Sequence, residues 1–194
     1  MKQDIILAGV GGQGILSIAF VLDHAAMKQQ VDFKQAEVHG MAQRGGAVQS
    51  HLRLAEGQIF SDLIPKGEAD MVLSVEPLEA LRYVDFLSPD GVIITSSTPY
   101  INIPDYPEIQ KILTALKSLN NSIIIDTGAL ARKAGSPLAQ NMVILGAASG
   151  RLILKEENLL EYIKALFRGR GDKIVEMNLK AFRLGREAAN GQNI

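Results

Sequence analysis

The chain has 194 residues, 47% of them hydrophobic and only 5% aromatic, with 18 glycines; this suits an α/β unit with an aliphatic core and many tight turns. Twenty Lys/Arg stand against 21 Asp/Glu for a net charge of −1, which argues against a general nucleic-acid binder, since that needs a cationic surplus to neutralise phosphates. There is no cysteine, so a disulfide scaffold, a thiolate zinc site, an iron–sulfur cluster and a cysteine nucleophile are excluded for this chain.

Residues 5–8, Ile-Ile-Leu-Ala, form a continuous apolar run of the kind found in a strand buried on both faces. Glycines at 9, 11, 12 and 14 end it. Apolar residues then recur at Ile15, Ile18, Ala19, Leu22, Ala25 and Ala26, the spacing of a helix of about four turns. Val31 to Val38 reads as extended, and His39 to Gly46 as a loop. Val48, Ser50, Leu52 and Leu54 alternate with Gln49, His51 and Arg53, predicting a strand with one wetter face. A turn at Glu56-Gly57 follows.

Met71 to Val75 is another apolar strand. Pro77 opens a helix whose apolar face is Leu78, Leu81, Val84 and Leu87. Ser88-Pro89-Asp90-Gly91 is turn chemistry, and Val92 to Thr95 is a buried strand. Pro99 to Pro107 should be irregular. Ile109 to Leu119 is a helix, Ile123 to Ile125 a strand, and Leu130 to Lys133 a short helix. From Asn141 the pattern is helical to the end. This alternation predicts an α/β fold: an open, mostly parallel sheet with helices on both faces, a Rossmann-like opening and a helical C-terminal part. Residues 1–194 are read as one domain, with about 155–190 a helical extension. No stretch approaches the ~20 apolar residues of a membrane span, and the short run 5–10 is not a signal peptide. The expected compartment is the cytoplasm, with no membrane partner and no nucleic acid.

Two segments carry chemistry. Gly9-Val10-Gly11-Gly12-Gln13-Gly14 fits G-x-G-x-x-G between a strand and a helix. Glycines allow positive φ and close approach of a ligand oxygen, and a helix start offers unpaired N–H groups and partial positive charge. A phosphate, a dinucleotide or a purely structural turn all fit. A dinucleotide would also need an acid about 20 positions on, and Asp32 and Glu37 are the nearest candidates. No Gly-Lys-Ser/Thr follows, which excludes a Walker A loop.

The second segment is Glu37-Val38-His39-Gly40-Met41-Ala42-Gln43-Arg44-Gly45-Gly46. It should emerge beside the glycine turn, at the carboxyl ends of the strands, where such folds bind ligands. Arg44 can make bidentate bonds to a phosphate or carboxylate. Glu37 and His39 could form an acid/base pair, but bracing of the loop or contact with another subunit is favoured over catalysis. The candidate anion or cofactor residues are Gly9, Gly11, Gly12, Gln13, Gly14 and Arg44. The candidate contact or bracing residues are Glu37, His39, Met41, Gln43, Gly45 and Gly46. His24 and His51 read as structural, Ser74 and Ser96 lack a base at any recognisable spacing, and Glu76 and Glu79 suit a helix start. No catalytic residue and no metal ligand is assigned.

The glycine turn, Gly9 to Ile15, resembles the opening of the gamma-type domain of 2-oxoacid:ferredoxin oxidoreductases. Glu37 to Gly46 resembles the narrower indolepyruvate branch, in which this domain is a separate beta subunit. The pyruvate and 2-oxoglutarate branches have a related acidic-Arg-Gly loop without the His-Gly-Met-x-Gln stretch. Ser74 to Ala80 and Asn141 to Ala147 are similar to family segments too. The resemblance implies a small subunit, inactive alone, of a complex that oxidatively decarboxylates indolepyruvate and other arylpyruvates to aryl-acetyl-CoA and reduces ferredoxin. It implies coenzyme A handling near the glycine turn and Arg44, and a large alpha subunit that carries thiamine diphosphate and the iron–sulfur clusters. Three alternatives stay open: the gamma subunit of a pyruvate or 2-oxoglutarate enzyme, a stand-alone NAD(P)-dependent dehydrogenase, and a homo-oligomeric assembly protein with an empty turn. A homodimer of the isolated chain is also open.

Overall fold

A computed structural model describes residues 1–39 and 45–192, with the His39 side chain also outside the described set. The strands are β1 (Lys2–Val10), β2 (Asp32–His39), β3 (Ala47–Ala55), β4 (Ala69–Ser74), β5 (Leu87–Ser96) and β6 (Ser122–Ile125). The helices are α1 (Ile15–Gln29), α2 (Pro77–Arg82), α3 (Ile109–Lys117), α4 (Thr127–Ala134), α5 (Gln140–Ala148), α6 (Glu156–Phe167) and α7 (Asp172–Asn190).

The strands form one sheet in the order β2-β3-β1-β4-β5-β6. The pairs β1–β4, β4–β5 and β5–β6 are parallel, and β3 runs antiparallel to both its neighbours. The connections explain the directions. A short connection joins β2 to β3, which permits only antiparallel pairing, whereas helical crossovers return the chain for parallel strands. The predicted mostly parallel sheet is present, and the strand read as having a wetter face is the reversed one.

The pleat sends alternate residues of β1 to two cores. Ile5 and Leu7 pack with α1, α5, α6 and α7, whereas Ile6 packs with α2 and α3 on the other face. In α1 the predicted apolar positions Ile15, Ile18, Ala19, Leu22, Ala25 and Ala26 are all buried. Helix α5 is apolar all round, and every residue from Asn141 to Ala148 is buried, so it forms the centre of the helical layer. It crosses α7 at backbone contact. A Cβ on Gly146 would lie 1.9 Å from the Phe182 carbonyl oxygen, and one on Gly185 would lie 1.9 Å from that of Val143.

Three local expectations are corrected. The helix at Pro77 ends at Arg82, and a 3-10 turn over Val84–Phe86 follows. Leu87 is already in β5, paired with Ala69. Ser88-Pro89-Asp90-Gly91 is not a connection between elements but a bulge within β5, since Met71 next pairs with Val92. The wetter face of β3 is partly covered: His51 is buried, accepts from the Ile64 N–H at 3.0 Å and meets the Phe86 ring edge-on.

At the opposite edge from the glycine turn, Asp4 is fully buried and chelated by Arg53, whose Nε and Nη2 reach its two oxygens at 2.9 Å each. Lys2 adds a contact at 2.9 Å. Arg53 also donates to the carbonyls of Ser61 and Leu63, which ties the β3–β4 connection to the sheet. Burying a carboxylate is costly unless it is paired and hydrogen-bonded in this way.

Candidate functional site at the carboxyl edge of the sheet

The chain leaves β1 for α1 and β2 on one side, and later continues through β4, β5 and β6 on the other. The carboxyl ends of β1 and β4 therefore flank the topological switch point, where open α/β sheets hold ligands. Val75 N–H donates to the Ala8 carbonyl at 3.1 Å, which carries the pairing of the two strands one residue past the end of β4.

The glycine turn is self-closed. Gln13 N–H donates to the Val10 carbonyl at 3.0 Å, and the Gln13 side-chain oxygen accepts from Val10 N–H at 2.8 Å. Gly9 makes room for that amide: a Cβ there would lie 2.6 Å from Ile15 Cδ1 and 3.1 Å from Gln13 Oε1. Gln13 is thus a brace whose oxygen is already committed. Gly14, at φ +79°, is the N-cap of α1 and offers no side-chain cap, so the first-turn N–H groups of α1 have no capping side chain. Gly12, at φ +102°, is exposed, and nothing stands within 4 Å of its would-be Cβ. An anion can approach the backbone there.

The β2–β3 connection is pinned to this turn. Gly11 N–H donates to the Gly46 carbonyl at 2.8 Å, and Gly45 N–H donates to the Gly11 carbonyl at 3.3 Å. The expectation that this loop emerges beside the glycine turn holds at its described end. Gly40, Met41, Ala42, Gln43 and Arg44 lie outside the described residues, and of His39 only the backbone is described, paired with Val48. Glu37 accepts from Gln35 Nε2 at 2.5 Å.

Residues 97–108 lie across the mouth of the site as a strap. Asn102 Nδ2 donates to the Gly45 carbonyl at 2.6 Å. At the β4 side the anchor is Glu76, which is 1% exposed. Its carboxylate accepts from Glu79 N–H at 2.8 Å, from Tyr100 N–H at 3.3 Å and from the Tyr106 hydroxyl. Burial and the Glu76 carboxylate push the Tyr106 phenol well above its ordinary range. Glu79 is buried beside it, and burial raises its pKa against the opposing pull of Arg82. The strap leaves Tyr100, Ile101 and Ile103 exposed.

Sequence reading placed Glu76 at a helix start, which is right, since it is the N-cap of α2. It missed that the same carboxylate clasps the strap. Glu before Pro was the signal for the cap; nothing local signals a partner 30 residues on. It also gave no role to Asn141, which is buried and whose Nδ2 donates to the Gly14 carbonyl at 3.3 Å. Asp23, inside α1, carries a buried Oδ1 with no hydrogen-bond partner among the described residues; burial and then Glu37 push its pKa up to about 7.

The remaining candidates are structural. His24 Nδ1 bonds the Phe20 carbonyl at 2.8 Å, and its ring packs on Phe20 and Tyr162. Ser74 donates to the Glu76 carbonyl at 2.7 Å, and Ser96 shares a hydrogen bond with Thr127 at 2.6 Å. Among the described residues neither serine hydroxyl is hydrogen-bonded to a base. The acids considered for a dinucleotide ribose are misplaced. Asp32 begins β2, at the far edge of the sheet, and β3 separates Glu37 from β1, since Glu37 pairs with Ser50 and Ser50 with Leu7. Two strand spacings put Glu37 roughly 10 Å to the side of β1.

The family described as Pyruvate ferredoxin/flavodoxin oxidoreductase matches residues 4–188. The indolepyruvate oxidoreductase subunit IorB of Archaeoglobus fulgidus is 36% identical, over 95% of this chain and 94% of that protein. IorB of Methanothermobacter thermautotrophicus is 37% identical, over 97% and 98%. More distant is the 2-oxoglutarate synthase subunit KorC of A. fulgidus, 26% identical over 96% of this chain and 87% of its own length. Two solved structures share the fold. The keto/oxoacid ferredoxin oxidoreductase gamma subunit of Geobacter sulfurreducens has a TM-score of 0.71 at 24% identity, over 98% of this chain and 99% of that one. The 2-oxoglutarate:ferredoxin oxidoreductase of Magnetococcus marinus, solved with 2-oxoglutarate, coenzyme A and succinyl-CoA bound, has a TM-score of 0.78 at 19% identity. The match covers 99% of this chain but only 32% of that longer one. With its glycine turn, pinned hairpin and end-to-end likeness to IorB subunits, the chain belongs to the pyruvate ferredoxin/flavodoxin oxidoreductase family.

Proposed function

We propose that the chain is the small, thiamine-free subunit of a complex that oxidatively decarboxylates indolepyruvate and other arylpyruvates. The reaction takes an arylpyruvate and coenzyme A to aryl-acetyl-CoA, carbon dioxide, a proton and two electrons, and ferredoxin takes the electrons. The observation that carries this reading is the identity of 34–37% to IorB subunits over nearly the whole chain. The reading of a pyruvate or 2-oxoglutarate gamma subunit rests on the weaker 26% relatives.

In this reading the site at the β1–β4 switch point receives an anionic part of coenzyme A. The open backbone at Gly12 and the α1 N-terminus would take a phosphate. Gly9, Gly11, Gly14 and Gln13 hold the turn in shape, Gly45 and Gly46 hold the hairpin against it, and Arg44 supplies the positive charge. Glu37, His39, Met41 and Gln43 serve bracing or subunit contact. Thiamine diphosphate, when bound in the complex, supplies the carbanion chemistry and belongs to the large alpha subunit. The clusters belong there too, because this chain has no cysteine thiolate to hold one. No described helix is long and apolar enough to cross a membrane, and the proposed compartment is the cytoplasm. A stand-alone dehydrogenase is disfavoured by β3, which displaces the acid that would hold a dinucleotide ribose.

The test is reconstitution. Mixed with the large subunit, the chain should restore indolepyruvate- and coenzyme A-dependent dye reduction, and each subunit alone should give none. Full activity of the large subunit alone would overturn the reading. Titration calorimetry should show no NADH binding to the purified chain at millimolar nucleotide.

A further inference from the structure

A groove of about 570 Å³ lies between the end of α4 and α7. Its floor is apolar, formed by Ala134, Ile174 and Met177, and the exposed Lys173, Lys180 and Arg183 stand around it with Glu176 as the one acid. Gly135, at φ +121°, ends α4, and a Cβ there would lie 3.5 Å from Met177 Cγ. Just beyond it, a 3-10 turn over Pro137–Ala139 is fixed by Leu138 N–H donating to Ser136 Oγ at 3.2 Å, yet Leu138 is 87% exposed.

The three rim cations are exposed, and none makes an ion pair among the described residues. They belong to a wider asymmetry. Residues 127–194 hold eleven Lys/Arg against six Asp/Glu, whereas residues 1–126 hold nine against fifteen. A chain near neutrality has therefore gathered its positive charge on the part that includes this groove. The groove lies on α4, which follows β6, and on α7, which packs against β6, whereas the glycine turn follows β1, with β4 and β5 between.

We propose that the α4–α7 groove docks an acidic segment of the large subunit, with an apolar side chain of that segment seated on the Ile174–Met177 floor. An apolar centre with a charged rim is the anatomy of a specific interface. A nucleic acid fits less well, because the chain is net negative and no aromatic side chain lines the groove for stacking. The occupant follows from the relatives. The ketoisovalerate oxidoreductase subunit VorA of M. thermautotrophicus matches this chain over only 35% of its length, and the Magnetococcus chain over 32% of its own. There the rest of the polypeptide is tethered to the matched part. This chain instead matches IorB subunits over 94–98% of their own length; in the subunit reading the large subunit is a separate polypeptide, and opposite charge would accelerate and orient its encounter with this chain. The inference rests on the subunit reading proposed above.

The test uses full-length chains. Association of the small and large subunits is measured by sedimentation and surface plasmon resonance, at salt from about 50 to about 300 mM, a range that shortens the screening length about twofold. The wild-type Kd should weaken at least tenfold across that range. The triple variant Lys173→Glu, Lys180→Glu, Arg183→Glu should bind at least a hundredfold more weakly at low salt, with an unchanged melting temperature. Leu138→Asp and Met177→Lys should weaken binding at all salts. The distant double variant Lys111→Glu, Lys117→Glu should bind as wild type. Wild-type affinity in the triple variant, within an active complex, would overturn the docking site while leaving the subunit reading intact. No association of wild-type chains, or a complex inert toward indolepyruvate, would overturn both.

Discussion

Gly11 donates its amide hydrogen to the Gly46 carbonyl at 2.8 Å, and its own carbonyl accepts from Gly45 at 3.3 Å. This two-way contact fixes the end of the β2–β3 hairpin onto the glycine turn. Asn102, from the strap, then donates to the carbonyl of that same Gly45. One backbone position thus joins three segments far apart in sequence, and the switch point is shaped by all of them.

Gly14→Ala should destabilise the protein by about 2–3 kcal/mol, because alanine must occupy φ +79° and its Cβ would lie 2.4 Å from Asn141 Nδ2. Asn141→Ala relieves the clash but not the backbone conformation, so the double variant should recover only part of the loss. Urea denaturation of the four proteins measures this. Full recovery would show that the side-chain contact alone sets the requirement for glycine.

Gly146→Ala should force α5 and α7 apart, since the added methyl meets the Phe182 carbonyl at 1.9 Å and neither backbone can yield locally. A loss of about 3 kcal/mol is expected from overpacking of this kind. Gly185→Ala should act alike and less than additively with it, because both widen the same crossing. Additive losses would mean that the helices separate independently at the two sites.

Arg53→Ala removes the bidentate partner of a fully buried carboxylate. Breaking such a pair is strongly destabilising, but Lys2 keeps one contact to Asp4, so about 2–3 kcal/mol is expected. Replacing Asp4 by Asn in the same protein should restore part of the stability. Thermal melts at neutral pH compare the single and double variants. A double variant no better than Arg53→Ala would refute the stranded-charge account.

Asp23 should make stability fall with rising pH. Its pKa is pushed up from 3.8 to about 7 on folding, first by burial and then by Glu37. Between those values the folded state binds more protons than the unfolded one, so stability declines across the window, and the deficit is complete above pH 7. Asp23→Asn should be more stable than wild type by about 1–2 kcal/mol at pH 8, after allowance for partial solvent exposure. The advantage should fade toward pH 4. A gain of equal size at both pH values would remove Asp23 as its cause.

Tyr106→Phe should free one end of the strap from Glu76. Loss of a hydrogen bond to a carboxylate costs about 1.5–3 kcal/mol when the acceptor stays buried. Hydrogen exchange at Tyr100, Asn102 and neighbouring amides should accelerate, while β4 and β5 stay protected. Unchanged exchange in the strap would assign its order to Asn102 and Gly45 instead.

Much of the architecture lay in local pattern. The apolar run Ile5–Ala8, the 3.6-residue spacing from Ile15 to Ala26 and the helical C-terminal part are one-dimensional records of burial, and the structure follows them. The glycine turn was equally legible, since positive φ at Gly12 and Gly14 demands a residue without Cβ. The position of β3 was not. Its alternation identifies a strand, but insertion between β1 and β2 depends on pairings that no local period encodes, and this insertion carries Glu37 away from β1. Glu76 shows the same division. Its place before Pro77 marks a helix cap, while its hold on Tyr100 and Tyr106 exists only once β4 and the strap meet. Sequence by itself determined which segments are buried and where the backbone must turn, because those depend on neighbours along the chain. Tertiary structure decided which turns share a site, because that depends on strand order and on hydrogen bonds between residues tens of positions apart.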